Sequence, residues 1–185
     1  VRAKERLTVV VPLTVAIILV LLYMNFRNFG DVLIIMGTLP FALIGGLWLM
    51  YWLGYNLSVA AGVGFIALAG VAVEIGVLML VYLNQAHERV RSEAAHEGRP
   101  FTLADLRQAV IDGAGLRVRP IMMTVAAIVV GLIPIMIGSG TGSEVMRLIA
   151  GPMIGGMVST VLLTLLVIPA LYFVRKKLFL AKTGE

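Results

Sequence analysis

Residues 57–83 read LSVAAGVGFIALAGVAVEIGVLMLVYL, apolar almost throughout, with a single formal charge at Glu74. A hydrocarbon layer about 30 Å thick is crossed by about 20 apolar residues of helix. This stretch has the length and character of such a helix. Four further runs share them, from about Leu7 to Met24, Val32 to Leu53, Ile121 to Ile137 and Val145 to Val174. The chain is therefore predicted to be an all-α, polytopic membrane helix bundle with five transmembrane helices. Pro40, Gly45, Gly46, Gly131, Pro134 and Pro169 interrupt these runs. Neighbouring helices can satisfy the backbone groups that such residues free.

The composition agrees. The chain has 185 residues, of which 60% are hydrophobic and 14% charged, where a soluble domain carries about 25% charged residues. Mean hydropathy is +1.01. The net charge of +5 reports topology in such a chain, and no nucleic-acid partner is expected. There is no cysteine, which rules out disulfides and thiolate metal sites. The chain opens VRAKER, and the apolar run that follows is too long for a signal-peptide core. It reads as a piece of a longer protein.

Residues 84–119 form the one long polar segment, so spans one to three fall in 1–83, spans four and five in 120–174, and a basic tail in 175–185. Within the polar segment, FTLADLRQAVIDGAG (101–115) carries a helix signal. Thr102 and Asp105 resemble a capping box, and Leu103, Leu106 and Val110 recur at helical spacing. A short amphipathic helix is predicted, either resting on the membrane surface or packed on the spans. Arg89, Arg91, Arg99, Arg107, Arg117 and Arg119 lie in this segment, Arg175, Lys176, Lys177 and Lys182 in the tail, and Arg27 after the first span. Five spans put all three segments on one side, which the positive-inside rule makes cytoplasmic, the C-terminus with it. Arg2, Lys4 and Arg6 then lie outside, as they would after a large translocated domain.

An acidic side chain at mid-helix costs about 2.5–3.5 kcal/mol to insert. Intramembrane carboxylates generally face a bundle interior or a water-filled path and serve ion or proton relays. Counting back from Glu74 by threes and fours reaches Gly70, Ala67, Gly64 and Ala60, and small residues let helices approach closely. Glu74 is thus expected to point into a tight helix contact as a proton carrier; the alternative is a permanently neutral structural carboxylate. Thr124 on the fourth span, and Ser159, Thr160 and Thr164 on the fifth, are the candidate partners within the chain. Gly151 and Gly155 fit the small-xxx-small packing pattern.

Three ordered motifs, FIALAGVAVEIGVLMLVYLNQA, LRVRPIMMTVAAIVVGLIPI and GSGTGSEVMRLIAGPMIGGM, resemble the C-terminal membrane region of heavy-metal efflux pumps of the resistance–nodulation–cell division (RND) superfamily. The copper/silver, CusA-type branch is the nearest in pattern. The likeness runs from the first span to Tyr172. It implies the last five of twelve spans of a homotrimeric inner-membrane pump. Inward proton flow would drive metal extrusion, and a periplasmic adaptor and an outer-membrane channel would be the partners. The relay Glu of the copper/silver branch carries over to Glu74. A Lys that often follows RVRP in that branch is Ile121 here, and zinc/cobalt-type members differ at the position of Glu74, so the pattern is mixed. Divalent metals or organic compounds are therefore the alternative cargo.

Methionine thioether is a soft ligand suited to Cu(I), and ten methionines are present. The resemblance marks Met146 as the one to contact metal, with Met153 and Met157 on the same helical face. Filling of irregular cores is the competing role. His87 and His96 share no helical face and read as solvated. No nucleophile–base arrangement or zinc-protease motif is found in the sequence; the resemblance implies a secondary active transporter, a proton/cation antiporter, and not an enzyme. No cofactor is implied. A non-transporting scaffold or an inert fragment is the reading of a different class.

Overall fold

The computed structural model describes residues 2–183. The side chains of Arg2, Lys4 and Lys182, counted in the charge argument above, lie outside the described residues. Five α-helices follow one another: α1 (Arg2–Phe26), α2 (Phe29–Trp52), α3 (Val59–His96), α4 (Leu103–Ile137) and α5 (Ser143–Thr183). All five are long and apolar enough to cross a membrane. They run up and down, so the bundle has a basic end, holding 84–119 and the end of α5, and an opposite end.

Local chemistry sets the reversals. α2 closes with Gly54 at φ 67°, Gly54 N donating to Tyr51 O and Tyr55 N to Met50 O. α3 closes in the same way at Gly98, with Gly98 N on Ala95 O and Arg99 N on Ala94 O. Both are Schellman caps, in which a left-handed glycine lets two amides return to the last turn. Ser58 accepts from Ala61 N to start α3. Thr102 and Asp105 form a full capping box at α4.

α5 is the hub, touching α2, α3 and α4, whereas α1 touches α2 alone among the described residues. The core joins Ile35 of α2, Leu68, Met79, Leu80 and Leu83 of α3, and Met157, Ile168 and Tyr172 of α5. Small residues bring the backbones together. At Gly155 an added methyl would stand 2.6 Å from Leu49 Cβ and 2.5 Å from Gly45 O, so α2 and α5 cross with only glycine between them. Gly64 abuts Ile149 O and lies against Pro152, fitting α3 to α5. A methyl added at Gly151 would stand at ordinary contact, 3.5 Å, from the Tyr55 ring, so no glycine is required there.

Three boundaries differ from the sequence-based expectation. The amphipathic segment is helical but is not a separate element, since α4 runs unbroken through Pro120 from Leu103 to Ile137. Likewise α3 continues to His96 and α5 to Thr183, through the predicted loop and tail. Hydropathy marks where lipid ends, and a helix can continue into the polar zone when its flanks pack. Here they do: a methyl at Gly113 of α4 would lie 3.1 Å from Ala86 Cβ and from Leu83 Cα of α3, and Arg89 reaches Asp112 at 3.4 Å.

Candidate functional site

Glu74 lies midway along the apolar part of α3. Its side chain is exposed, in line with the exposed residues Val59, Val63, Ile66 and Gly70. Steps of three and four keep these five on one helical stripe. The opposite side of α3 carries the buried Ala61, Gly64, Leu68, Ala72, Ile75 and Met79. No helix among the described residues covers the Glu74 stripe, and Glu74 makes no hydrogen bond or ion pair among them.

This corrects the expectation that Glu74 enters a tight contact within the chain. Gly70 likewise has nothing within 4 Å of an added methyl, so it packs against no described helix. The reason is angular. Two successive steps of three lag behind the helical repeat, so Gly64, ten residues from Glu74, lies about 80° around the helix at 3.6 residues per turn. Gly64 is on the packed side, and Gly70 shares the bare side with Glu74.

The hydroxyls proposed as partners divide similarly. Thr160 and Thr164 are fully buried, Thr160 donating to Gly156 O at 2.7 Å, and Ser159 donates to Gly156 O at 2.9 Å beside α2. They point into the bundle while Glu74 points out. Thr124 is exposed on α4. Ile121, where the resemblance called for Lys, is a core residue. Met146 is 55% exposed in the first turn of α5. It borders a shallow recess of about 330 Å³ formed with Ile135 and the 138–143 turn. Met157 on the same face is fully buried and fills the core. No group of three or more His, Asp or Glu side chains suited to a metal ion occurs among the described residues.

A polar cluster that sequence reasoning missed lies at the basic end. Asp31, in the first turn of α2, is 1% exposed. It forms an ion pair with Arg175 of α5 and accepts from Asn84 Nδ2 of α3 at 3.2 Å. Tyr172 Oη donates to Asn84 Oδ1 at 2.7 Å. Gly30 makes room for the guanidinium, since a methyl there would stand 2.8 Å from Arg175 Cζ. His87, expected to be solvated, is buried beside this cluster, edge-on to Phe101 at 5.2 Å and Tyr172 at 6.4 Å. The available signal was charge sign: Asp31 is an acid in the first turn of a helix that begins on the basic side, as Asp105 is in α4. Its partner, 144 residues away, could not be chosen from spacing.

Thus the chain is a polytopic bundle with one exposed intramembrane carboxylate and a three-helix polar clamp at one end. Residues 1–176 match the model of the AcrB/AcrD/AcrF family, and the chain belongs to that family. It is 54% identical over 171 residues to the cation efflux system protein CusA of Escherichia coli (strain K12), covering 92% of this chain and 16% of that protein. It is 41% identical over 170 residues to the cobalt-zinc-cadmium resistance protein CzcA of Cupriavidus metallidurans, covering 92% of this chain and 15% of that one. A crystal structure of a heavy metal efflux pump superimposes with a TM-score of 0.79 at 38% identity, over 95% of this chain and 16% of that chain. The chain therefore spans about a sixth of the length of these relatives.

Proposed function

We propose that this chain is the C-terminal membrane part of a proton-motive-force-driven efflux transporter for heavy-metal cations, with Cu(I) or Ag(I) as cargo. The observation that carries the reading is Glu74: one carboxylate, mid-span, uncompensated among the described residues, on a stripe that is otherwise apolar. Its insertion cost of about 2.5–3.5 kcal/mol is hard to reconcile with a merely structural role, because no group among the described residues bonds to it. As a relay it takes up a proton in one state of the pump and gives it up in another, with the Thr124 hydroxyl as a candidate intermediate. That role requires the Glu74 stripe to face another helix of the intact protein, not acyl chains. Met146, exposed at the opposite end, is the proposed thioether contact for a soft cation leaving or entering the membrane region.

The expected setting is a homotrimer in the bacterial inner membrane, C-terminus in the cytoplasm, working with a periplasmic adaptor and an outer-membrane channel. Similarity to CusA, at 54% against 41% for CzcA, favours the copper/silver branch. The apolar Ile121 in the core favours a second reading, a pump of the same class for divalent metals. Glu74→Gln in the intact pump tests the relay. Metal resistance should disappear while the protein still reaches the membrane in normal amount. Full resistance in that variant would reject the proton role, and cysteine substitution of the stripe with labelling from the lipid phase would reject it too.

A further inference from the structure

A groove of about 720 Å³ lies between α4 and α5 near the basic end. Leu103, Ala104, Val110 and Ile111 of α4 line one wall, Ala170 and Phe173 of α5 the other, and Arg107 is its one polar side chain. Arg107 is exposed and makes no hydrogen bond or ion pair among the described residues. The nearby acids are already engaged. Asp105 bonds Arg99 at 2.7 Å and Thr102 at 2.7 Å, and Asp112 bonds Arg89 at 3.4 Å and Gln108 at 2.9 Å. Asp105 and Glu97 hold Arg99 protonated beyond the ordinary arginine range, Asp105 most strongly. So the groove presents an apolar trough and one free cation.

Its depth identifies the occupant. Phe173 is 30 residues along α5 from Ser143, about 45 Å at 1.5 Å per residue. A bilayer with its headgroups is about 40–45 Å thick, so for a helix near the membrane normal the groove sits at headgroup level. Basic pockets between membrane helices suit anionic headgroups. We propose that this groove holds one anionic phospholipid, its phosphate on Arg107 and the start of an acyl chain laid against Val110, Ile111 and Ala170 on the membrane side. The reading depends on the membrane-spanning architecture alone and stands whatever the pump's cargo or the fate of Glu74.

The test is native mass spectrometry of the intact detergent-purified protein, titrated with phosphatidylglycerol or phosphatidylcholine. Wild-type protein should retain its first phosphatidylglycerol in preference to phosphatidylcholine. Arg107→Gln should weaken that binding about fivefold, the value of one basic residue at a membrane surface. Ala170→Trp, which fills the trough, should lower retention of both lipids. Lys177→Gln, an exposed charge outside the groove, should change neither. Equal retention of the two lipids by wild type, or an unchanged Arg107→Gln protein, overturns the proposal. So does a Lys177→Gln protein weakened as much as Arg107→Gln, which would mean diffuse charge. Release of the lipid by inorganic phosphate at equal concentration would mark a simple anion site and overturns it as well.

Discussion

Asp31→Asn removes the charge that ties three helices together at the basic end. Arg175, 33% exposed, then loses its counter-ion, and Asn84 loses a charged acceptor. Stripping one partner from a buried ion pair costs about 3–5 kcal/mol, and the partial exposure of Arg175 puts this pair at the lower limit. A local opening free energy lower by about 3 kcal/mol corresponds to amide exchange faster by about a hundredfold. The assay is hydrogen–deuterium exchange of the intact protein in detergent, followed in peptides covering 29–36 and 170–178. Protection in α4 at 121–137, remote from the clamp, serves as the internal reference. The companion variant Asp31→Leu/Arg175→Met decides the cause. Replacing a whole buried pair with apolar groups is often close to neutral, so the double variant should recover most of the lost protection. Unchanged exchange in Asp31→Asn, or a double variant as labile as the single, would refute the clamp.

Other consequences are more local. Gly155→Val should sharply reduce folded yield, because even a methyl would meet Gly45 O and Leu49 Cβ. Gly115→Ala, with open space around it, should be neutral or gain up to about 1 kcal/mol from helix propensity; yield after mild heating in detergent separates the two. Thr102→Ala should cost about 1 kcal/mol at the start of α4, read as roughly fivefold faster exchange across 103–107 with α5 unaffected. Met146→Leu keeps volume at an exposed site, so thermal stability should not move while metal extrusion by the intact pump falls. Undiminished extrusion would remove Met146 from the cargo path.

The parts of the fold readable from sequence were those set by lipid. Five apolar runs became five helices, and Thr102 with Asp105 closed the capping box that their spacing suggested. Less was readable where the helices pass into water, because polarity no longer separates helix from loop. Pro120 coincides with a hydropathy edge and yet lies inside α4. Glu74 was legible as a depth but not as a direction: whether a helix side is packed depends on which neighbour arrives, and the glycine count drifted by a third of a turn between Gly70 and Gly64. The Asp31 clamp was hidden for a related reason. Its members belong to three helices, and each alone resembles an ordinary headgroup-level polar residue.

The single-neighbour position of α1 has a consequence for membrane composition. Val9, Leu13, Val20 and Met24 are all more than half exposed, and α2 is the only described helix in contact with α1. Where no further helix covers it, a segment so sparsely packed takes its inclination chiefly from the bilayer. The glycine-locked α2–α3–α5 trio has no such latitude. Among the described helices α1 is therefore the one least held by its neighbours and the one with most freedom to follow a change in lipid chain length.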